Sequence, residues 1–174
     1  IASGLQLVTI NDAQQATLAG TGAGANLATN THWENTLIGY NAGNAITGGD
    51  YNTGLGTYAL KLTTTGSANT AVGRRALQDN LTGDDNTGIG KSSLTDNTTG
   101  SYNTAVGSSS LDANTTGDYN TALGQAALTA NTTADSNVAI GYAALTSNTT
   151  GANNTALGSY AGYGITTASN VVAI

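Results

Sequence analysis

The side chains able to do chemistry in this chain are few. Asp79, Asp84, Asp85 and Asp96 crowd one stretch, and carboxylates of this kind, helped by backbone carbonyls, are what Ca²⁺ takes as ligands. The Gly-Gly-x-Gly-x-Asp signature of calcium-binding β-rolls is missing, so the aspartates read as a solvated acidic patch and no metal is expected. Tyr51, Tyr102 and Tyr119 share one column when the sequence is written in rows of 17. An aromatic face can stack on a sugar or a partner, and these three are the candidate surface-binding residues. Asn80, Asn97, Asn114, Asn131, Asn148 and Asn153 each begin an N-glycosylation sequon; most are one turn repeated, so turn chemistry accounts for them. For catalysis the parts are lacking. There is no cysteine, the single histidine, His32, has no carboxylate at a meaningful spacing, and Ser108 to Ser110 have no base in sequence. The expectation is no enzyme, no catalytic residue and no cofactor. Lys61, Arg74, Arg75 and Lys91 are the only cations in a chain of net charge −6, which argues against nucleic acid as a partner. They read as a solvated band, with a local anion-binding band as the alternative.

What positions these groups is a repeat. Asn stands at 35, 52, 69, 86, 103, 120, 137 and 154, seventeen residues apart each time, and such a fixed period marks a solenoid or array. Four residues later comes glycine in every row, from Gly39 to Gly158, preceded by Ile38, Leu55, Val72, Ile89, Val106, Leu123, Ile140 or Leu157. The pair predicts a buried aliphatic followed by a bend. Alternation puts Thr and that aliphatic on one face of a strand and a small residue on the other. A second apolar column, Leu60, Leu77, Leu94, Leu111, Leu128 and Leu145, predicts a short second strand, and Asn-Thr-Thr-Gly closes the row with a turn. Each row thus reads strand, turn, strand, turn.

A unit this small cannot bury its apolar residues alone, because ordering each residue costs about 1–2 kcal/mol of backbone entropy. Stacking of coils at roughly 4.8 Å is the expected solution, with like residues forming ladders. The fold class is therefore all-β, a parallel β-roll or β-solenoid of 17-residue coils. The first and eighth rows deviate together: Gly43 and Gly162 replace the column leucine, and Ile46 and Ile165 replace the column asparagine. Residues 1–34 do not follow the period and read as an N-terminal lead-in or cap, with Leu5, Leu7, Val8 and Ile10 as a strand and Trp33 as a lid. Residues 35–174 are the array, eight repeats and the start of a ninth. Composition agrees, with 8% charged residues, 24 glycines and no Phe, Pro or Met in 174 residues. No apolar run is long enough for a membrane helix, so no membrane insertion is expected in this segment. The opening Ile1 and the ending at Ile174 lead to the expectation of a piece of a longer protein.

Asn-Thr-Ala-Val-Gly at 103–107, Ser136-Asn137-Val138-Ala139-Ile140-Gly141 and their copies resemble the YadA-like head repeats of trimeric autotransporter adhesins. Similar arrays occur in phage tail fibres and in proteins ending in an endosialidase-type chaperone domain. The likeness covers residues 35–174, and the period here is longer by the Asn-Thr-Thr-Gly turn. It implies a left-handed β-roll, three chains side by side in a homotrimer, and an extracellular place on a bacterial surface or a phage virion. The function it implies is a structural or adhesive fibre segment that presents a binding surface, with a host-surface receptor or glycan as a partner beside the chain itself. The face of Ala71, Ala105, Ala122, Ala139 and Ala156 is expected to let neighbouring chains approach. The alternative is a single-chain β-solenoid that binds ice or crystalline carbohydrate through a threonine ladder, such as Thr98-Thr99, Thr115-Thr116, Thr132-Thr133 and Thr149-Thr150.

Overall fold

The computed structural model describes residues 9–11, 15–27 and 34–174. One sheet contains β1 (Thr9–Asn11), β2 (Ala16–Ala19), β3 (Thr36–Ile38), β4 (Thr53–Leu55), β5 (Thr70–Val72), β6 (Thr87–Ile89), β7 (Thr104–Val106), β8 (Thr121–Leu123), β9 (Val138–Ile140), β10 (Thr155–Leu157) and β11 (Val172–Ala173), paired in chain order. From β2 onward all pairs are parallel, giving a β-solenoid of about nine turns. Registers such as Thr87↔Thr104 and Ile89↔Val106 place like residues one above another. β1 folds back antiparallel on β2, so the first parallel strand has a hydrogen-bonded neighbour on both sides.

The array begins earlier than the 17-residue period indicates. Thr17, Leu18 and Ala19 pair with Thr36, Leu37 and Ile38, a spacing of 19 (36 − 17), and Gly24 and Leu27 then match Gly43 and Ile46 in the following row. His32 and Trp33, like Leu5, Leu7 and Val8, lie outside the described residues.

The face of the strand that points inward is the reverse of the expected one. The small central residues are fully buried, as at Ala71, Ala105, Ala122, Ala139 and Ala156, whereas Ile38, Leu55, Ile89, Val106, Ile140 and Leu157 are exposed. The reason is cross-section. Leu60, Leu77, Leu94, Leu111, Leu128 and Leu145 are fully buried and cross the narrow coil towards the strand, which leaves room only for Ala or Gly opposite. In the first row the volumes are exchanged: Leu37 takes the strand position, and a Cβ on Gly43 would lie 2.6 Å from Leu37 Cδ1 and 2.9 Å from Ile46 Cδ1. The alanine face is thus core, and the neighbour it receives is the leucine of its own chain.

The expected second strand is also absent among the described residues. Each column leucine has a left-handed backbone, with φ from 49° at Leu145 to 53° at Leu60 and Leu128, inside a turn such as residues 108–113. Backbone bonds still run from coil to coil there: Leu94 N–H donates to Ser110 O (3.0 Å) and Asp96 N–H to Asp112 O (3.0 Å). Left-handed geometry costs a non-glycine residue roughly 1–2 kcal/mol, a cost that leucine burial of about 1.5–3 kcal/mol offsets. The invariant glycine after the strand has no such option. Gly107 sits at φ 136°, and an added Cβ would be 2.5 Å from Gly124 O in the next coil.

Two asparagine columns inside the roll hold the coils in register. Asn103 N–H donates to Asn86 Oδ1 (3.0 Å), Asn103 Nδ2 donates to Gly117 O (2.8 Å), and Asn103 Oδ1 accepts from Asn120 N–H (2.9 Å). Each column asparagine from Asn35 to Asn154 is fully buried, and each Oδ1 accepts the backbone N–H of the next row, from Asn52 N–H on Asn35 to Val171 N–H on Asn154. A second ladder joins Asn80, Asn97, Asn114, Asn131 and Asn148, in which each Nδ2 from Asn97 onward donates to the Oδ1 of the preceding coil. Among the described residues, the two buried side-chain polar atoms without a hydrogen bond, Thr63 Oγ1 and Asn148 Oδ1, stand at the two ends of this second column. Buried amides are costly unless satisfied; within a stack, each coil satisfies its neighbour.

Candidate binding surface

The inward turn of the alanines leaves the other side of the sheet as a continuous outward surface. It consists of two columns in register: half-buried threonines, Thr53, Thr70, Thr87, Thr104 and Thr121, and beside them Leu55, Val72, Ile89, Val106 and Leu123. Strand side chains on one face are separated along the solenoid by the inter-strand spacing of about 4.8 Å. An aliphatic row of this length facing solvent is the kind of exposed patch that marks an interaction site.

Its two rims differ. The corner preceding the strand carries Asp84, Asp85, Asp118 and Asp135 with Tyr51, Tyr102 and Tyr119. One carboxylate oxygen of each of three aspartates accepts a backbone N–H of the adjacent coil: Asp84 from Ser67 (2.7 Å), Asp118 from Ser101 (2.7 Å) and Asp135 from Asp118 (2.8 Å). Of the candidate tyrosines, the structure brings two together. Tyr102 and Tyr119 stack with ring centroids 5.0 Å apart and planes within 2°, both more than half exposed at 52% and 59%. Tyr51 is separated from them by Ala68 and Asp85 in the same column.

The corner following the strand carries Tyr40, Tyr58, Arg74, Arg75 and Lys91. Tyr40 and Tyr58 meet edge to face at 5.4 Å, and Lys61 Nζ lies 5.0 Å from the Tyr58 ring centroid. Arg75 Nε donates to Gln78 Oε1 (2.9 Å). Further along the rod this rim is aromatic again, with Tyr142, Tyr160 and Tyr163 in edge contacts of 5.1 and 5.8 Å. The hydrogen bond to Tyr142 raises the Tyr160 pKa above its ordinary value, followed by the charge of Tyr142. These rim clusters were missed in the sequence because their tyrosines are spread over three columns rather than one.

The four aspartates considered for Ca²⁺ do not converge. Asp84 and Asp85 stand on the pre-strand corner, whereas Asp79 and Asp96 stand beside the leucine side of the coil. There the carboxyl of Asp96 is pushed up by burial, then by the charges of Asp112 and Asp79, with Arg75 opposing. No metal-ligating cluster and no pocket occur among the described residues. The sequon asparagines Asn80, Asn97, Asn114, Asn131 and Asn148 are fully buried, so their amides face the ladder rather than any modifying enzyme; Asn153 alone among the six is exposed. The hydroxyls of Thr98, Thr115, Thr132 and Thr149 are also committed, each donating to a threonine carbonyl of the next coil at 2.9–3.2 Å.

Fold and surface together define the class: a repeat protein forming a parallel β-solenoid. No protein-family model matches the chain, and no curated protein or solved structure matches it either.

Proposed function

We propose that this chain is a structural, adhesive fibre segment, borne on a bacterial cell surface or a phage virion, that works as a homotrimer and presents binding residues along a rod. The observation that carries this reading is the division of labour within each row. Residues that face inward repeat from coil to coil, so that length is added by copying. Those at the corners vary freely, as Tyr51, Ala68, Asp85 and Tyr102 do in one column. Such a scaffold holds exchangeable side chains at fixed heights, with the stacked pair Tyr102 and Tyr119 as the first candidate for contact with a receptor or glycan. The face for association is the exposed aliphatic column, in place of the alanines, which are core. Antibody raised against the purified roll and applied to intact cells and virions of the source tests the placement: surface labelling is expected, and labelling only after lysis would refute it. Multi-angle light scattering tests the assembly, where three chain masses are expected and a folded monomer at micromolar concentration would refute the trimer.

A second reading is favoured by the same outward face. The Thr-x-aliphatic rows from β4 to β8 repeat in register, whereas the inner threonine hydroxyls of the Asn-Thr-Thr corner are already bonded. A monomer showing freezing hysteresis that Thr104→Tyr abolishes would establish lattice binding instead.

A further inference from the structure

We infer that the two rims of the outward sheet face are complementary halves of one self-association interface, and that they select a parallel, in-register neighbour. The inference rests on the assembly reading above and names how the copies meet. Arg74, Arg75 and Lys91 stand at the start of the turns that follow β5 and β6, next to the strand, while Lys61, Asp79 and Asp96 lie further along the turns that follow β4, β5 and β6. Arg74 and Lys91 are exposed. Across the strand, immediately before β6, stand the exposed Asp84 and Asp85, level with Lys91 and one coil away from Arg74 and Arg75. Between them run the exposed Leu55 and Ile89 with the half-buried Val72. The surface is thus an apolar strip with a basic margin on one side and an acidic margin on the other.

Symmetry turns this arrangement into a choice of partner. A rotation axis parallel to the rod carries the basic rim of one copy against the acidic rim of the next, level with it, while the aliphatic columns meet along their whole length. A twofold axis perpendicular to the rod and lying in the interface sets basic against basic and acidic against acidic. Like charges brought together across an interface disfavour that docking, and opposite ones fix register. The second copy is the occupant that the chain's own charge pattern fits, because each rim supplies what the other lacks.

The test uses two rim variants, Arg74→Asp with Arg75→Asp, and Asp84→Ser with Asp85→Lys; serine already stands at the Asp84 position in two neighbouring rows as Ser67 and Ser101. Circular dichroism confirms that each is folded, and sedimentation at 0.05 M and 1 M salt measures association. Each variant alone is expected to weaken association about tenfold or more at low salt, and the four changes combined in one chain are expected to restore it. At 1 M salt, where screening acts over about 3 Å, the differences should shrink. Parent association that neither variant alters would overturn the inference and leave the assembly reading standing. A parent chain that is monomeric at every salt concentration would overturn both, as would a lattice or glycan ligand bound by that monomer. An equal mixture of an all-acidic-rim and an all-basic-rim variant separates ring sizes: a pair satisfies both contacts, whereas a closed ring of three retains one like-charged contact.

Discussion

Asn103 offers the sharpest test of what holds the coils together. Its side chain makes one short bond to Gly117 O (2.8 Å), a longer one to Asn86 Oδ1 (3.1 Å), and its oxygen accepts from the backbone (2.9 Å) and side chain (3.2 Å) of Asn120. In Asn103→Ala, Gly117 O keeps the Asn114 amide and Asn120 Nδ2 keeps Ala134 O, so the one group fully orphaned is the buried Asn120 N–H. An unsatisfied buried donor costs about 1–3 kcal/mol and each of the three other lost bonds about 0.5–1.5, which gives a loss of about 2.5–7.5 kcal/mol per chain. Asn103→Asp removes the packing explanation, because it is isosteric. The new oxygen replaces Nδ2 and faces two acceptors, Gly117 O and Asn86 Oδ1, while the other oxygen still accepts from Asn120. Burial among acceptors raises the folded-state pKa above the unfolded carboxylate value of about 3.9. The native state then binds the proton more tightly, so stability is retained below that unfolded value and falls as pH rises, by up to about 1.4 kcal/mol per pH unit. Urea denaturation of this variant at pH 4 and pH 8, with Asn153→Asp on the exposed corner as control, is the assay. An Asn103→Asp midpoint that tracks the parent at both pH values would show that the asparagine columns fill space and do not set register.

Other expectations follow from the same coil. Leu111→Ala should cost about 2–5 kcal/mol per chain, seen as a lower thermal midpoint, since Leu111 is fully buried at the centre of the stack. Gly107→Ala and Gly158→Ala share an unfavourable positive φ, but only the first meets the next coil, the nearest atom to a Cβ on Gly158 being 4.0 Å away; calorimetry should find the Gly107 variant much the less stable. Thr63→Asn should extend the second ladder downward beneath Asn80 and raise stability by about 1 kcal/mol, and no gain in urea midpoint would mean that the ladder cannot be lengthened there. Asp96, with a raised pKa, costs nothing when protonated and destabilises progressively as pH rises through and above the unfolded value. Asp96→Asn should therefore gain on the parent in melting temperature between about pH 3 and pH 7.

The period, the bend after each strand and the buried leucine column were legible because each is a column property that a 17-residue frame makes visible. The direction in which the strand faces was not. Alternation defines two faces without saying which is inside, and aliphatic side chains invite the assumption that they are buried. The deciding signal is a volume exchange between columns: Leu37 stands with Gly43, whereas Ala71 stands with Leu77 and Ala105 with Leu111. Two positions that trade volume must share a cavity, and that alone places the small strand residue opposite the leucine and turns Val72 and Val106 outward. The leucine backbone was misread for a related reason, since leucine in isolation avoids a left-handed conformation and only the packed coil overrides that preference. The asparagine of Asn-Thr-Thr-Gly was legible as a turn former, whereas the column-one asparagine marked only the period; its invariance is satisfied by bonds reaching 17 residues back. The early coil at residues 16–27 was hidden by two extra residues that break the frame. Of the candidate site, Tyr102 and Tyr119 met because consecutive rows become neighbours in the stack, and Tyr51 did not because two rows intervene. The same rule, that a column is a line in space and row number is height, places Lys91 level with Asp84 and Asp85 across one exposed strand. Sequence charge alone, summed to −6, conceals that separation, because the sum discards the side of the strand on which each charge stands.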